Sequence, residues 1–224
     1  MITIVFTLLS AGCTDDKGNE SSASTSCTGV TDSMGRPKTI EDTINLINAL
    51  PRPLSLECFL NSLKAPLNVF AVNSTFSAQP AVDQNSPRIF ILQDKMVLSV
   101  APAGIGRTLL EFSELNGSIE TFKGELEFPI EGTVTMDTIL AKISQTSTTS
   151  TCLTCHTSER KVAYKTLGSL YVSKILRPNE SQRINSSYLK NQATACNPSI
   201  NKHRCEVLNA IFVNGQAQDA SFPF

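Results

Sequence analysis

The feature that most constrains the fold is a stretch between residues 67 and 128 in which apolar and polar residues alternate with a period close to two. This alternation is typical of β-strands, because successive side chains of a strand point to opposite faces of a sheet. A tight hairpin turn is predicted at Asp94-Lys95, and Pro and Gly residues separate the other strands. The predicted strands are residues 67–73, 88–93, 96–101, 108–112 and 119–128. Because no helical pattern lies between them, we expect a central antiparallel sheet, arranged as a small sandwich or barrel.

Helical patterns flank this stretch on both sides. Thr39 is a candidate N-cap for a helix over residues 40–50, which Pro51 ends because proline lacks an amide hydrogen. Further short helices are predicted at residues 54–63, 136–143, 188–195 and 205–213. The fold class is therefore α+β, with an α+β domain at residues 38–143. A helical C-terminal segment at residues 144–224 can pack on the same domain.

The charge composition excludes one class of partner. The 224 residues carry a net charge of −1, and 17% of them are charged, without a basic block. Binding to nucleic acid depends on concentrated positive charge. We therefore expect no nucleic-acid partner.

The N-terminus has the pattern of an export signal. An apolar run over residues 2–9 leads into small residues and Cys13, and it is shorter than the ~20 residues that span a bilayer. Residues 1–13 resemble a bacterial lipoprotein signal with its lipobox, which implies that Cys13 is acylated. Residues 14–37, which are rich in Ser, Thr, Asp and Gly, are then a flexible polar tether. A plain secretory signal, or a short buried segment with a free cysteine, is the alternative.

This resemblance also implies a location. Such a protein belongs to the bacterial cell envelope and faces the periplasm, on the outer membrane rather than the inner one. Its contact with the membrane is through the lipid anchor only.

A CxxCH motif carries the strongest chemical signal in the chain. It consists of Cys152, Cys155 and His156. Two thiols at this spacing can each add to a vinyl group of haem, and the adjacent histidine can bind the iron. The motif therefore predicts one covalently bound haem c, with Cys152 and Cys155 as thioether anchors and His156 as the proximal iron ligand.

The motif resembles the haem-attachment sequence of c-type cytochromes, although the resemblance covers only residues 152–156. It implies electron transfer, with a redox partner protein, or haem-based sensing. Two features depart from the small cytochrome plan. A Ser/Thr-rich run at residues 144–151 precedes the motif in place of a helix, and the last methionine, Met136, lies before it.

The sixth iron ligand is consequently not obvious from the sequence. His203, the only other histidine, is the first candidate, followed by Met96 and Met136. An open sixth position is also possible, and would suit small-ligand sensing or a haem peroxidase. Apolar residues that could line a haem pocket follow the motif in the sequence, together with three cations that could bind the haem propionates. These residues are Val162, Leu167, Leu170, Val172, Ile175, Leu176, Arg160, Lys161 and Arg177.

Three other interpretations of the CxxC remain open. A thioredoxin-like redox pair would follow a buried strand and begin a helix, which lowers a thiol pKa. A zinc site would need a fourth ligand besides Cys152, Cys155 and His156. A structural disulfide would make the chain a non-enzymatic envelope lipoprotein with structural or binding roles.

The remaining cysteines fit an oxidising compartment. Cys27, Cys58, Cys196 and Cys205 can pair in three ways, of which Cys27–Cys58 with Cys196–Cys205 is the simplest. No nucleophile elbow, HExxH motif or phosphate-binding loop occurs in the sequence. The sequence therefore favours a protein that is not an enzyme and identifies no catalytic residue.

Overall fold

One open β-sheet organises the part of the chain that the structure, a computed structural model, describes: Cys27 and residues 29–223. The sheet has nine strands within this part, in the order β6-β7-β5-β4-β3-β2-β1-β8, with β9 beside β1. All neighbours pair antiparallel except β1 and β9. The predicted α+β class with a central antiparallel sheet is confirmed. The sheet is open, so it forms neither the sandwich nor the barrel that we had expected as its arrangement.

Nine strands and five α-helices make up the regular structure of the described residues. The strands are β1 Asn68–Val72, β2 Arg88–Gln93, β3 Met96–Val100, β4 Leu109–Asn116, β5 Glu120–Glu127, β6 Arg160–Ala163, β7 Ser169–Lys174, β8 Arg183–Ile184 and β9 Gln218–Asp219. The helices are α1 Ile40–Ala49, α2 Leu56–Ser62, α3 Met136–Ile143, α4 Ser186–Thr194 and α5 Pro198–Leu208. A π-helix, Asn209–Asn214, continues α5.

Side-chain caps start the first three helices. The hydroxyls of Thr39, Ser55 and Thr135 accept backbone N–H groups of the first turns of α1, α2 and α3. Each cap satisfies an amide that the helix itself cannot. The predicted cap at Thr39 is confirmed.

The two faces of the sheet are different. One face packs against the helices and carries the main hydrophobic core, which includes Ile91, Leu98, Leu110 and Phe112. We call it the helix-covered face. The opposite face, called here the open face, holds a small apolar cluster near β1 that includes Phe90. Farther along β4 and β5 the open face becomes polar, because the alternating positions there are charged or hydroxylated.

The C-terminal segment belongs to the same sheet and is less helical than predicted. β7 pairs with β5 at one edge, whereas β8 and β9 pair with β1 near the other. β8 and β9 have only two residues each, and β6 is largely exposed, so their sequences carry little of the apolar pattern that revealed β1 to β5. Long-range pairing, rather than local pattern, determines them.

Two disulfides lie within the described chain, one near its start and one in its C-terminal part. Cys27 is bonded to Cys58 in α2, and Cys196 to Cys205 in α5, as in the simplest pairing. Met34 packs against the main core. The part of the predicted tether that the structure describes is therefore attached to the domain. Cys13 and residues 1–26 lie outside the described residues.

We expect Gly124→Ala to destabilise the fold. Gly124 in β5 lies opposite Phe112 in β4, and a Cβ there would come within 2.0 Å of the buried Phe112 ring. Relieving such an overlap in a packed core costs about 1–3 kcal/mol. Urea unfolding followed by circular dichroism should show a loss of about 2 kcal/mol in the free energy of unfolding.

Gly132→Ala is the matched control. Gly132 is exposed, and no atom lies within 4 Å of the added Cβ. Its variant should unfold within about 0.5 kcal/mol of the parent. Equal stability of the two variants would contradict the predicted clash.

Candidate functional site

A cavity of about 260 Å³ lies on the open face, next to the segment that carries the CxxCH motif. Side chains of β2 to β5 form its floor. The β1–β2 loop, the chain after β7 and the C-terminal tail contribute its walls. Cys152, Cys155 and His156 all line it. The structure therefore brings the three motif residues to the same cavity.

Ser150 and Glu159 anchor the motif. Residues Thr151–Thr154 form a 3₁₀ turn, and the Ser150 hydroxyl accepts the backbone N–H of Cys152 at 3.0 Å. Ser150 is itself fully buried and donates from its backbone N–H and its hydroxyl to the Glu159 carboxylate, at 2.7 and 2.6 Å. Charge-assisted hydrogen bonds of this kind are stronger than neutral ones. Residues on both sides of the motif, Ser150 before it and Glu159 after it, thus hold it in place.

His156 presents a free ring nitrogen. Its Nδ1 lies 2.9 Å from the backbone carbonyl oxygen of Lys174, just at the end of β7. A carbonyl can only accept, so Nδ1 carries the hydrogen. Burial, assisted by the positive charge of Lys123, lowers the pKa of His156 to about 4, so the ring is neutral at pH 7. Nε2 then keeps its lone pair, and a backbone partner on the other nitrogen is the usual arrangement of a metal-binding histidine.

The two motif thiols are free and partly buried. No disulfide joins them, so the structural-disulfide interpretation is not the state seen here. Burial raises the pKa of the Cys152 thiol. A thioredoxin-like pair needs a lowered pKa at the start of an α-helix, whereas here a polar segment leads into a 3₁₀ turn. The geometry is therefore unlike that of a dithiol redox centre.

The floor of the cavity carries a partly buried ion pair. Arg88 donates to Glu111 Oε2 at 2.6 Å and to the Ser99 hydroxyl at 2.7 Å, and it also donates to the Ser77 hydroxyl. The other carboxylate oxygen, Glu111 Oε1, is buried without a hydrogen-bond partner. A buried acceptor of this kind costs free energy unless something outside the protein donates to it. The floor is therefore organised but incomplete.

Lys123 and Glu125 extend the polar floor along β5. Lys123 is only 6% exposed and lines the cavity. Burial lowers the pKa of Lys123 to about 8. Burial, followed by the negative charge of Glu111 across the strand pair, raises the pKa of Glu125 to about 7. Two groups whose charge is disfavoured thus face the same space as the motif.

His203 does not line this cavity. Its Nδ1 lies 2.5 Å from the Glu57 carboxylate, and its Nε2 lies 2.9 Å from the backbone carbonyl oxygen of Arg107. Both partners are acceptors, so both ring nitrogens carry hydrogens and the ring has no lone pair for a metal. His203, our first candidate for the distal iron ligand, is therefore bound in an ion pair with Glu57 and does not face the cavity.

The two methionine candidates are on the wrong side of the sheet. Met96 is fully buried in the main core, and Met136 packs against that core from the start of α3. Both therefore contact the helix-covered face, whereas the motif lies over the open face. Neither residue lines the cavity.

Some of the predicted haem walls do line the cavity. Ile175, Leu176 and Arg177 contribute to it directly. The other apolar candidates do not, and Arg160 instead forms a bidentate ion pair with Glu120 on the surface. Lys161 lies 5.8 Å from the centre of the Tyr171 ring. Of the three cations proposed for propionates, only Arg177 is at the site.

Sequence reasoning missed the floor of the cavity. Its polar residues occupy alternate positions of β4 and β5. In the sequence, this pattern indicates a face of the sheet that is exposed to solvent. The signal that could have revealed it is the density of charge at these positions, with Glu111, Lys123 and Glu125 on one face. Apolar walls were missed as well, namely Phe76, Phe90 and Phe222.

The described residues contain neither a metal-binding cluster nor a membrane helix. Within the described residues, no three Cys, His, Asp or Glu side chains converge so that they could hold a metal ion. None of the helices in that part is long and apolar enough to cross a bilayer. Comparison with protein-family models, with curated proteins and with solved structures found no match.

The His203–Glu57 pair predicts a pH-dependent contribution to stability. The hydrogen bond to Glu57, opposed by burial, raises the pKa of His203. Burial acts against ionisation of Glu57, but its hydrogen bonds, first the one from His203, lower its pKa overall. The His contribution is complete below its unfolded pKa and is lost as the pH rises through the folded one. The pair should therefore stabilise most between the ordinary pKa values of about 4.3 and 6.5.

We expect His203→Gln to lose about 1 kcal/mol of unfolding free energy at pH 5.5 and clearly less at pH 9. Urea unfolding at the two pH values measures this difference. Lys202→Gln, which alters an exposed neighbour in the same helix, is the control and should show little change at either pH. A His203→Gln penalty that grows with pH would refute the assignment.

Proposed function

We propose that this chain is an exported protein that carries one covalent haem c on Cys152 and Cys155, with His156 as the proximal iron ligand. The haem would serve electron transfer or haem-based sensing. The observation that carries the proposal is that both motif thiols are free and line a cavity together with a neutral histidine whose Nε2 is unpaired.

The residues around the cavity fit such a group. Phe90, Val97 and Phe222 offer apolar and aromatic surface, while Arg177 offers a cation for a propionate. Phe76 and Leu176 are 69% and 51% exposed at the cavity wall, which is unusual for large apolar side chains. The buried Glu111 Oε1 without a partner also indicates that the protein alone does not complete this site.

Each motif residue has a defined task in this proposal. Cys152 and Cys155 would hold the edge of the porphyrin, so they need not converge on a metal. Lys174 holds the His156 ring through Nδ1, which keeps Nε2 directed as the metal-binding atom. When bound, the haem supplies one-electron chemistry at its iron.

The proposed location follows from the cysteines. Two disulfides are expected in an oxidising compartment, and haem c is attached outside the cytoplasm. Together with the lipobox-like residues before Cys13, this supports a lipid-anchored protein of the bacterial envelope that faces the periplasm. Its redox partner would be another protein, and its contact with the membrane would be through the lipid.

We expect the exported chain, made together with a haem c maturation system, to keep its Soret band after denaturation and washing. Replacing Cys152 and Cys155 with Ser should abolish the covalent haem, because both thioether bonds are lost. His156→Ala should weaken or prevent haem retention. Absorbance spectra and haem staining of a denaturing gel measure these outcomes.

The double variant Cys196→Ser with Cys205→Ser is the matched control. It also removes two cysteines, but from a disulfide on the helix-covered side, so the haem should remain attached. A colourless protein in which mass spectrometry finds a Cys152–Cys155 disulfide would refute the proposal and support the structural lipoprotein instead.

A further inference from the structure

Three exposed aliphatic side chains, which we call the apolar corner, lie at one end of the sheet. Ile105 in the β3–β4 loop and Ile200 near the start of α5 are each 83% exposed, more than any other large apolar side chain of the described residues. The third, Val82, is 58% exposed, and its Cγ2 lies 3.0 Å from the position that a Cβ of Gly104 would occupy. Single exposed apolar residues are ordinary, but a group of them marks a surface that meets another apolar phase or molecule.

One histidine joins the two segments that carry the isoleucines. Nε2 of His203 in α5 lies 2.9 Å from the backbone carbonyl oxygen of Arg107 in the β3–β4 loop. Ile105 is two residues before Arg107, and Ile200 is three residues before His203. The two most exposed apolar side chains therefore belong to neighbouring segments that a direct hydrogen bond holds together.

Both segments are also fixed to the domain. The disulfide of α5 closes the chain around Ile200. Gly106, next to Ile105, packs so closely that a Cβ there would come within 2.8 Å of the Gln79 Cα. The fold therefore presents both isoleucines to the outside from well-held backbone, although burying them would stabilise it.

The attachment of the N-terminal segment indicates which apolar phase the corner meets. Cys27 is bonded to Cys58 in α2, and the residue before Cys58, Glu57, lies 2.5 Å from His203 Nδ1. The segment that leads to Cys13 therefore joins the domain beside the same ring that holds the two parts of the apolar corner together. A lipid on Cys13 would keep this part of the domain close to a bilayer.

The charges around the apolar corner are nearly balanced. Its segments contain Arg107, Lys202 and Arg204 as cations, and Asp83 and Glu206 as carboxylates. So small a net charge adds little attraction to an anionic lipid surface. The apolar side chains, rather than the charges, therefore determine what this corner binds.

We infer that the apolar corner rests on the lipid bilayer, with the side chains of Ile105 and Ile200 inserted into its surface. This inference rests on the proposed acylation of Cys13, because two isoleucines bury too little apolar surface to hold a protein on a membrane by themselves. The lipid keeps the corner at a high effective concentration near the bilayer, and the corner fixes the orientation of the domain. The domain then touches the membrane directly, in addition to the lipid contact proposed above.

Tryptophan fluorescence tests this inference, because the chain has no tryptophan of its own. The acylated full-length chain is placed in phosphatidylcholine vesicles as Ile105→Trp, Ile200→Trp or Ile119→Trp, with ordinary or with brominated acyl chains. Ile119 is the matched control, because it is 63% exposed and lies at the other end of β4 from the loop of Ile105. All three substitutions are at exposed positions, so each variant should fold.

Brominated acyl chains should quench Ile105→Trp and Ile200→Trp about twofold, because an inserted ring reaches the boundary of the acyl region. They should leave Ile119→Trp unchanged. A haem bound at the motif would quench equally in both kinds of vesicle, so the intensity ratio reports the lipid alone.

Two results would overturn the inference and leave the lipid anchor intact. In the first, bromine quenches neither corner variant and both emit at long wavelength, as a ring in water does. In the second, bromine again quenches neither, but both emit at short wavelength, as when a second copy of the protein covers the corner. If mass spectrometry finds no lipid on Cys13, the proposed anchor is overturned, and this inference with it.

Discussion

The antiparallel pairing of β7 with β5 determines where the motif lies. Helix α3 packs on the helix-covered face and β6 returns to the edge of the sheet, so the chain between them must pass around that edge. The Tyr171 hydroxyl donates to the Thr146 carbonyl oxygen, and His156 donates to Lys174, so β7 holds this passage at two points. The CxxCH consequently lies over the open face, opposite a floor that distant strands provide.

That floor is costly for the protein by itself. Arg88 donates a hydrogen bond to Glu111 Oε2, but Glu111 Oε1 and the Thr121 hydroxyl are buried without partners. Lys123 adds a cation that is only 6% exposed on the same face. Stability alone would favour apolar residues at these positions. The pattern is instead typical of a site whose polar groups are kept for a ligand.

The sequence predicted the parts of the fold that local pattern determines. The strands β4 and β5 alternate, β1 to β3 are short apolar runs, and Thr39 marks the start of α1, so these elements were found. The strands β6 to β9 were missed because they are short and depend on partners that are distant in sequence. For the same reason the sequence could not foresee that Glu57, in another helix, binds His203, or that Lys123 and the motif line the same cavity.

The Cys27–Cys58 disulfide has a geometric consequence for any lipid on Cys13. The bond joins Cys27 to the folded domain. Fourteen peptide units, at most about 50 Å of chain, therefore separate Cys13 from the domain. Cys58 lies in α2, on the helix-covered side. Cys27 is therefore joined to the domain on the side of the sheet opposite the cavity, whose wall carries the exposed side chains of Phe76 and Leu176.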